Sequence, residues 1–271
     1  MDFVDKAMAR RLESAEEMPQ VYMAPFYQAQ RPEIGAAAEA ICGGHMVFAG
    51  LGLPVGRAVG LGFEKPLTAD DLNRVEDFYR SRQAPAQVDL TPLHDPAIFE
   101  MFKQRGYGIT ELNNVLWRRL RRGEEFPAAP PGVEIRPGRA EEAIEFAEIV
   151  ARSFHESGDP PEGFRQMITP LFQIEGAIPF VAHVDDKMAG VGTGLIIPEH
   201  RVVALFGAGT LPEFRRRGIQ MALLGARLSL AAEAGVDTAV IVTQGGTASQ
   251  RNCERMGFRV AYSKVTVIKP T

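Results

Sequence analysis

The stretch GTLPEFRRRGIQMALL, from Gly209 to Leu224, restricts the possible local folds more than any other part of this chain. An apolar run typical of a strand precedes it, and an apolar run with helical spacing follows the arginines. Pro212 marks the end of the strand, and Gly218 stands where the helix begins. A helix start has backbone N–H groups without internal partners and a partial positive charge. The stretch therefore predicts an anion site, although three arginines alone also suit a solvated basic face.

Composition limits the partners of the chain. It has 271 residues, 45% of them hydrophobic and 24% charged, with a formal charge of −4. No broad cationic field results, so we expect neither nucleic acid nor a membrane as a partner. Cys42 and Cys253 are far apart and belong to no metal-ligand grouping, which predicts no metal site and suits a reducing, cytoplasmic location. The first residues lack the apolar core of a signal peptide and have helical spacing instead.

A proline-rich stretch, FPAAPPG, divides the chain into two periodic regions. We therefore predict domains at residues 1–126 and 127–271. In the second region the pattern predicts a strand, two helices, three antiparallel strands, a helix, a strand, a helix and a final strand. Turns are expected at Asp185-Asp186 and at Pro198-Glu199. This order predicts an α+β fold with helices on the faces of a sheet.

Two motifs in this order resemble those of the GCN5-related N-acetyltransferase (GNAT) family. Arg215 to Gln220, RRRGIQ, resembles the family's Arg/Gln-x-x-Gly-x-Gly/Ala signature. SQRNCERMGF resembles its closing pattern, Ser/Ala-x-x-x-Tyr-x-x-x-Gly-Phe. The resemblance spans about Val133 to Pro270 and implies a mostly antiparallel mixed sheet flanked by helices, as in other acyl-CoA N-acyltransferases.

The first half repeats the second in a weaker form. AQVDLTP corresponds to TAVIVTQ, and FEMFKQRGYGI corresponds to RNCERMGFRV. This repetition predicts a tandem pair of GNAT-like domains. Where the second half has its arginines, the first has Thr68-Ala69-Asp70-Asp71, a good helix cap with carboxylates that repel a phosphate. We therefore expect the first domain to be a degenerate copy without a cofactor site.

The resemblance implies acetyl-CoA as cosubstrate. In the family the pyrophosphate of coenzyme A lies over the turn that begins the helix, and the pantetheine arm runs beside the end of the preceding strand. Gln220 stands where the family usually has glycine or alanine, so its side chain either crowds the pyrophosphate or donates a hydrogen bond to it. The residues expected to bind the cofactor are Gly209, Thr210, Leu211, Arg215, Arg216, Arg217, Gly218, Ile219, Gln220 and Ser249.

The resemblance also implies direct attack of an amine on the thioester, which needs an acid and a base. Cys253 stands where the family has its tyrosine acid, and His155 and Glu156 lead into a loop that flanks the acceptor site in the family. We therefore predict an N-acetyltransferase of a primary amine in a small molecule or an amino-acid-like acceptor, acting as a monomer or homodimer. A non-catalytic coenzyme A binding or interaction protein and an acetyltransferase of protein amino groups are the alternatives.

Overall fold

The computed structural model describes residues 3–53, 55–154 and 163–270, and within them lie seven α-helices and ten β-strands. The chain divides into two compact units. The first consists of residues 1–116, 242–247 and 260–271, and the second of residues 117–241 and 248–259. The division after Leu116 falls inside a strand, and most of the last strand lies in the first unit. The predicted domains, 1–126 and 127–271, stay a prediction.

The first unit begins with a long helix, α1 (Lys6–Gln30), as the spacing of its apolar residues predicts. Asp5 caps it by accepting a hydrogen bond from the backbone N–H of Met8 at 2.8 Å. The buried face of α1 is not purely apolar, because it includes Glu13 and Glu17. In the described part of the chain no helix is both long enough and apolar enough to span a membrane.

The first unit contains a two-stranded hairpin and, separate from it, strands of a larger sheet. β1 (Ala37–Ile41) and β2 (Gly44–Phe48) form an antiparallel hairpin, in which Cys42 and Gly43 both have positive φ. The remaining elements are α2 (Ala69–Arg80), β3 (Ala86–Leu90), α3 (Pro96–Gln104), β4 (Gly108–Arg119) and, at the end of the chain, β10 (Arg259–Lys269). β3 pairs antiparallel with β10, from Leu90 opposite Val265 to Ala86 opposite Lys269.

The second unit has the predicted element order up to its last helix, and the predicted final strand, β10, lies mostly in the first unit. The elements of the second unit are β5 (Glu134–Pro137), α4 (Ala143–Phe154), α5 (Phe164–Ile168), β6 (Phe180–Val184), β7 (Lys187–Ile197), β8 (Val202–Thr210), α6 (Ile219–Glu233), β9 (Thr238–Gln244) and α7 (Ala248–Arg255). The strand order is β9-β8-β7-β6-β5, antiparallel from β5 to β8 and parallel between β8 and β9. The turn at Asp185-Asp186 has two positive φ angles, as a tight hairpin requires.

Strand β8 is irregular towards its C-terminal end. Gly207 and Ala208 together oppose the single residue Gly192 of β7, which is a β-bulge. On the other side, β8 pairs with β9 only from Val202 to Leu205. Residues 206–210 of β8 therefore extend beyond the segment that pairs with β9. Because α6 follows this end of the strand, the bulge and the helix start face the same region.

Candidate active site

Helix α6 begins directly after Gly218, whose φ is +77°. Glycine supplies no capping side chain, so the N–H groups of the first turn stay available at the positive end of the helix dipole. Arg216, two residues earlier, also has a positive φ, +62°. Alternation of left-handed residues turns successive N–H groups towards one side, which is the geometry of backbone anion sites. Both residues are exposed.

The backbone at Gly218 requires glycine for two reasons. An L-residue at a φ of +77° is strained, and an added Cβ would lie 2.9 Å from Cγ of Pro130. The sequence predicted an anion site at this turn, and a glycine lets an anion lie close to the backbone. The structure shows in addition that Pro130, in the proline-rich segment, leaves no room for a side chain at Gly218.

A cleft of about 670 Å³ opens beside this helix start, between α6 and α7. Five arginines line it, and there is no aspartate or glutamate among the described residues that do so. Its arginines are Arg215, Arg216, Arg227, Arg251 and Arg255. A volume of this size suits a small-molecule ligand, and the charge selects an anionic one.

The three consecutive arginines have different positions. Arg215 and Arg216 line the cleft, and Nε of Arg215 donates to the backbone oxygen of Thr210 at 3.3 Å. The guanidinium of Arg217 lies over the ring of Phe214, 5.4 Å from its centre, and does not line the cleft. Two of the three arginines are thus placed to contact a ligand in the cleft, and the third stacks on an aromatic ring.

The side chain of Gln220 forms a hydrogen bond within the chain, and its two predicted relations to the pyrophosphate stay predictions. Its Nε2 donates to Oγ1 of Thr210 at 2.6 Å, so the side chain turns towards the end of β8. It therefore connects the first turn of α6 to the strand that precedes it. Gln220 and Ile219 both line the cleft.

The end of β8 contributes two of its three predicted residues to the cleft. Gly209 and Thr210 line it. A Cβ at Gly209 would lie 2.3 Å from Oγ of Ser153 on α4, so glycine permits the close approach of that helix. Leu211 is buried, is not part of the lining, and donates its N–H to the backbone oxygen of Ala189 at 3.0 Å.

Helix α7 supplies the opposite side of the cleft. Ser249 and Cys253, one turn apart, both line it. Ser249 is exposed, whereas Cys253 is buried. Burial raises the pKa of the Cys253 thiol to about 11, and the nearby charge of Arg227 only partly opposes this shift. At neutral pH the side chain is therefore a protonated thiol.

Arg227, like Arg251 and Arg255, lines the cleft but was not predicted from the sequence. Only 2% of it is exposed, and its Nε and Nη1 donate to the backbone oxygens of Leu223 and Thr193 at 3.0 and 2.7 Å. Burial lowers its pKa to about 10, so it stays charged at neutral pH. The available signal was its place in the apolar pattern of α6, between Leu224 and Leu228, where a charge is unexpected.

His155 and Glu156, the predicted bases, fall outside the described residues. Within the described part of the chain, no group of three or more His, Cys, Asp or Glu side chains is placed to hold a metal ion.

Comparisons with known proteins identify the domain. Residues 144–258 match the family model described as "Acetyltransferase (GNAT) family". The GCN5-related N-acetyltransferase from Kribbella flavida is similar over 92% of this chain and 95% of its own, with a TM-score of 0.63 and 17% identity. A tandem GNAT protein from the clavulanic acid biosynthesis pathway is similar over 86% of this chain and 78% of its own, with a TM-score of 0.62 and 14% identity.

A GCN5-related N-acetyltransferase from Sphaerobacter thermophilus is also similar, over 73% of this chain and 66% of its own, with a TM-score of 0.54 and 19% identity. No curated protein matches the sequence significantly. At these identities the solved structures show the fold alone, and they confirm the predicted α+β class with the fold of tandem GNAT proteins. Residues 144–258 of this chain are therefore a domain of the GNAT acetyltransferase family.

Proposed function

We propose that this protein is an N-acetyltransferase that transfers the acetyl group of acetyl-CoA to a primary amine of a small, amino-acid-like molecule. The observation that carries the proposal is the glycine-started helix α6 beside an arginine-lined cleft within a GNAT domain. Coenzyme A is a large anion with several phosphates, and the cleft offers both N–H groups and cations for them.

The phosphates have their binding groups at the exposed start of α6. The N–H groups of Gly218, Ile219 and Gln220 lie in the first turn, and the guanidiniums of Arg215 and Arg216 stand next to them. Arg251 and Arg255 on α7 add two further cations across the cleft. Leu211 and Arg217, which do not line the cleft, act by shaping the strand end and the turn.

The thioester has its place further inside, at the end of β8. Gly209 and Thr210 line this part, and the bulge turns the backbone of the strand out of regular pairing. A backbone N–H of such a strand end is suited to stabilise the oxyanion that forms when the amine attacks. Ser249 and the protonated thiol of Cys253 face the same space from α7, and Cys253 is the proposed proton donor.

One observation favours a second candidate, a coenzyme A binding protein without turnover. Cys253 replaces the tyrosine acid of the family, and among the described residues the lining of the cleft contains no histidine or carboxylate to act as a base. His155 and Glu156 stay the proposed bases. The two candidates differ in whether free thiol is released from acetyl-CoA.

Titration calorimetry with coenzyme A and a thiol-release assay over a panel of amines test the proposal. We expect the variant Arg215→Glu/Arg216→Glu to bind coenzyme A at least about 100-fold more weakly, because two favourable charge contacts become repulsive. The matched control Arg121→Glu/Arg122→Glu makes the same charge change on exposed residues of the same unit.

Each outcome decides between the candidates. Binding with thiol release supports the transferase, and release only with protein or peptide amines moves the acceptor to that class. Binding without release over the whole panel supports the binding protein. Equal affinities of the charge-reversed variant and its control would contradict the proposed site.

A further inference from the structure

Arg227 is a buried cation inside the cleft. Its guanidinium donates hydrogen bonds to two backbone oxygens, and no carboxylate of the described residues forms an ion pair with it. Burying a guanidinium without a counter-ion costs free energy. An apolar side chain of similar length would pack on the apolar face of α6 without this cost. Fold stability alone therefore gives no reason for a charge at this position.

The surrounding structure is shaped to keep the charge. Gly192 on β7 leaves room for it, since an added Cβ there would lie 2.7 Å from Cζ of Arg227. The neutral thiol of Cys253 lies near the guanidinium, and Leu224 and Ile241 are apolar residues of the same cleft. In such surroundings a cation interacts strongly with any anion that forms nearby.

Arg227 also lies well away from the proposed phosphate site. It follows Gly218 by nine residues, or about 13 Å along α6 at 1.5 Å per residue. Arg215 and Arg216 are exposed at the rim, whereas Arg227 is buried. The cleft thus has one cationic site at its rim and a separate one inside, where the reactive end of coenzyme A is proposed to lie.

We propose that Arg227 stabilises the thiolate of coenzyme A that leaves during acetyl transfer, an inference that depends on the proposed function. In that step the amine nitrogen forms a bond to the acetyl carbon, the carbon–sulfur bond breaks, and its electron pair stays on sulfur. The proton of the attacking amine goes to a base or to water. The leaving sulfur is thus an anion, stabilised by the fixed positive charge of Arg227, until it takes a proton from Cys253, the proposed donor.

The affinity of the protein for coenzyme A between pH 6.5 and 9 tests the assignment without turnover. S-methyl-coenzyme A is the reference ligand, because it has the same phosphates and pantetheine arm but no ionisable thiol. A nearby cation lowers a thiol pKa by about one unit or more from about 8.5. Binding of coenzyme A relative to the reference should therefore strengthen roughly tenfold as the pH rises through this range.

Three variants separate charge from structure. Arg227→Met should abolish the pH-dependent difference between the two ligands, while Arg227→Lys should keep most of it. Arg122→Met, which removes a guanidinium whose side chain is 80% exposed in the same unit, should behave as the wild type. Circular dichroism verifies that each variant is folded.

The outcomes distinguish this inference from the proposed function. If the wild type binds neither ligand, the proposed function fails. If it binds both with the same pH dependence, or if folded Arg227→Met keeps the difference, Arg227 only holds β7 and α6 together and the thiolate role is overturned. Even if Arg227→Met does not fold, equal pH dependence of the two ligands in the wild type would overturn the thiolate role.

Discussion

Gly218 has two roles: it allows the backbone conformation before α6, and it leaves space for the proposed ligand. Its positive φ ends the turn after the arginines, and the absence of a side chain leaves the start of α6 open. Arg216 adopts a left-handed conformation without being glycine, a strain typical of functional sites. The turn therefore has a conformation that its own sequence does not favour, next to the proposed phosphates.

We expect Gly218→Asp to weaken coenzyme A binding at least about 100-fold, since a carboxylate would occupy the positive end of α6 and repel phosphate. Calorimetric titration measures the change. Gly235→Asp is the matched control, because Gly235 in the same unit also has a positive φ, +85°, with no atom near an added Cβ. Equal losses of affinity in both variants would show that the proposed phosphate position is wrong.

Side-chain positions in the cleft were only partly predictable from sequence. Arg215, Arg216 and Gly218 belong to a local strand–turn–helix pattern, so they could be identified as site residues directly from the sequence. Arg227 reaches the cleft only because α6 packs on β7 beside Gly192, a contact between distant segments. For the same reason, the bond from Gln220 to Thr210 depended on a geometry that spacing does not reveal.

At the scale of elements, α2 and α6 begin in opposite ways. Thr68 and Asp71 form a reciprocal capping box at the start of α2, with both backbone-to-side-chain distances at 3.1 Å. Two N–H groups of that turn, those of Thr68 and Asp71, are thus satisfied by the chain itself. Helix caps depend on neighbouring residues, which is why this one could be predicted from sequence. That the first half does not bind the cofactor stays a prediction.

Thr68→Ala should lower the free energy of unfolding by about 1 kcal/mol, the usual loss when an N-cap hydroxyl is removed. Affinity for coenzyme A should not change. Urea denaturation gives the stability, with Ser229→Ala, which removes an exposed hydroxyl within α6, as the control. A loss no larger than that of the control would mean that the cap does not stabilise α2.

The order of elements in the second unit was also predictable, because apolar periodicity and turn residues are local signals. The bulge in β8 and its short pairing with β9 were not, since both depend on the register between strands that are separate in sequence. These two irregularities place Gly209 and Thr210 in the cleft.

At the scale of the molecule, the first unit is held together by buried charges from distant parts of the chain. Nζ of Lys264 on β10 lies 3.0 Å from Asp89 on β3 and 3.3 Å from Glu13 on α1. Burial alone raises the pKa of Asp89, but Lys264 and Arg57 outweigh it and the net shift is downward. Sequence periodicity did not predict this cluster, whose members are up to 251 residues apart.

Lys264→Met should destabilise the first unit by about 3 to 5 kcal/mol, because it leaves two buried carboxylates without their shared cation. Urea denaturation followed by a probe in that unit measures the loss. Lys103→Met, at a side chain that is 77% exposed in the same unit, should change stability by less than about 1 kcal/mol. A similarly small effect of Lys264→Met would show that the cluster does not support the unit.

The location of β10 has a consequence for synthesis. Residues 259–269, which form β10, are translated after all the other described elements, yet they supply the strand beside β3 and the cation for Glu13 and Asp89. The first unit is therefore complete only after the elements of the second unit have been made. A premature stop before β10 would damage a unit whose other elements had already been translated.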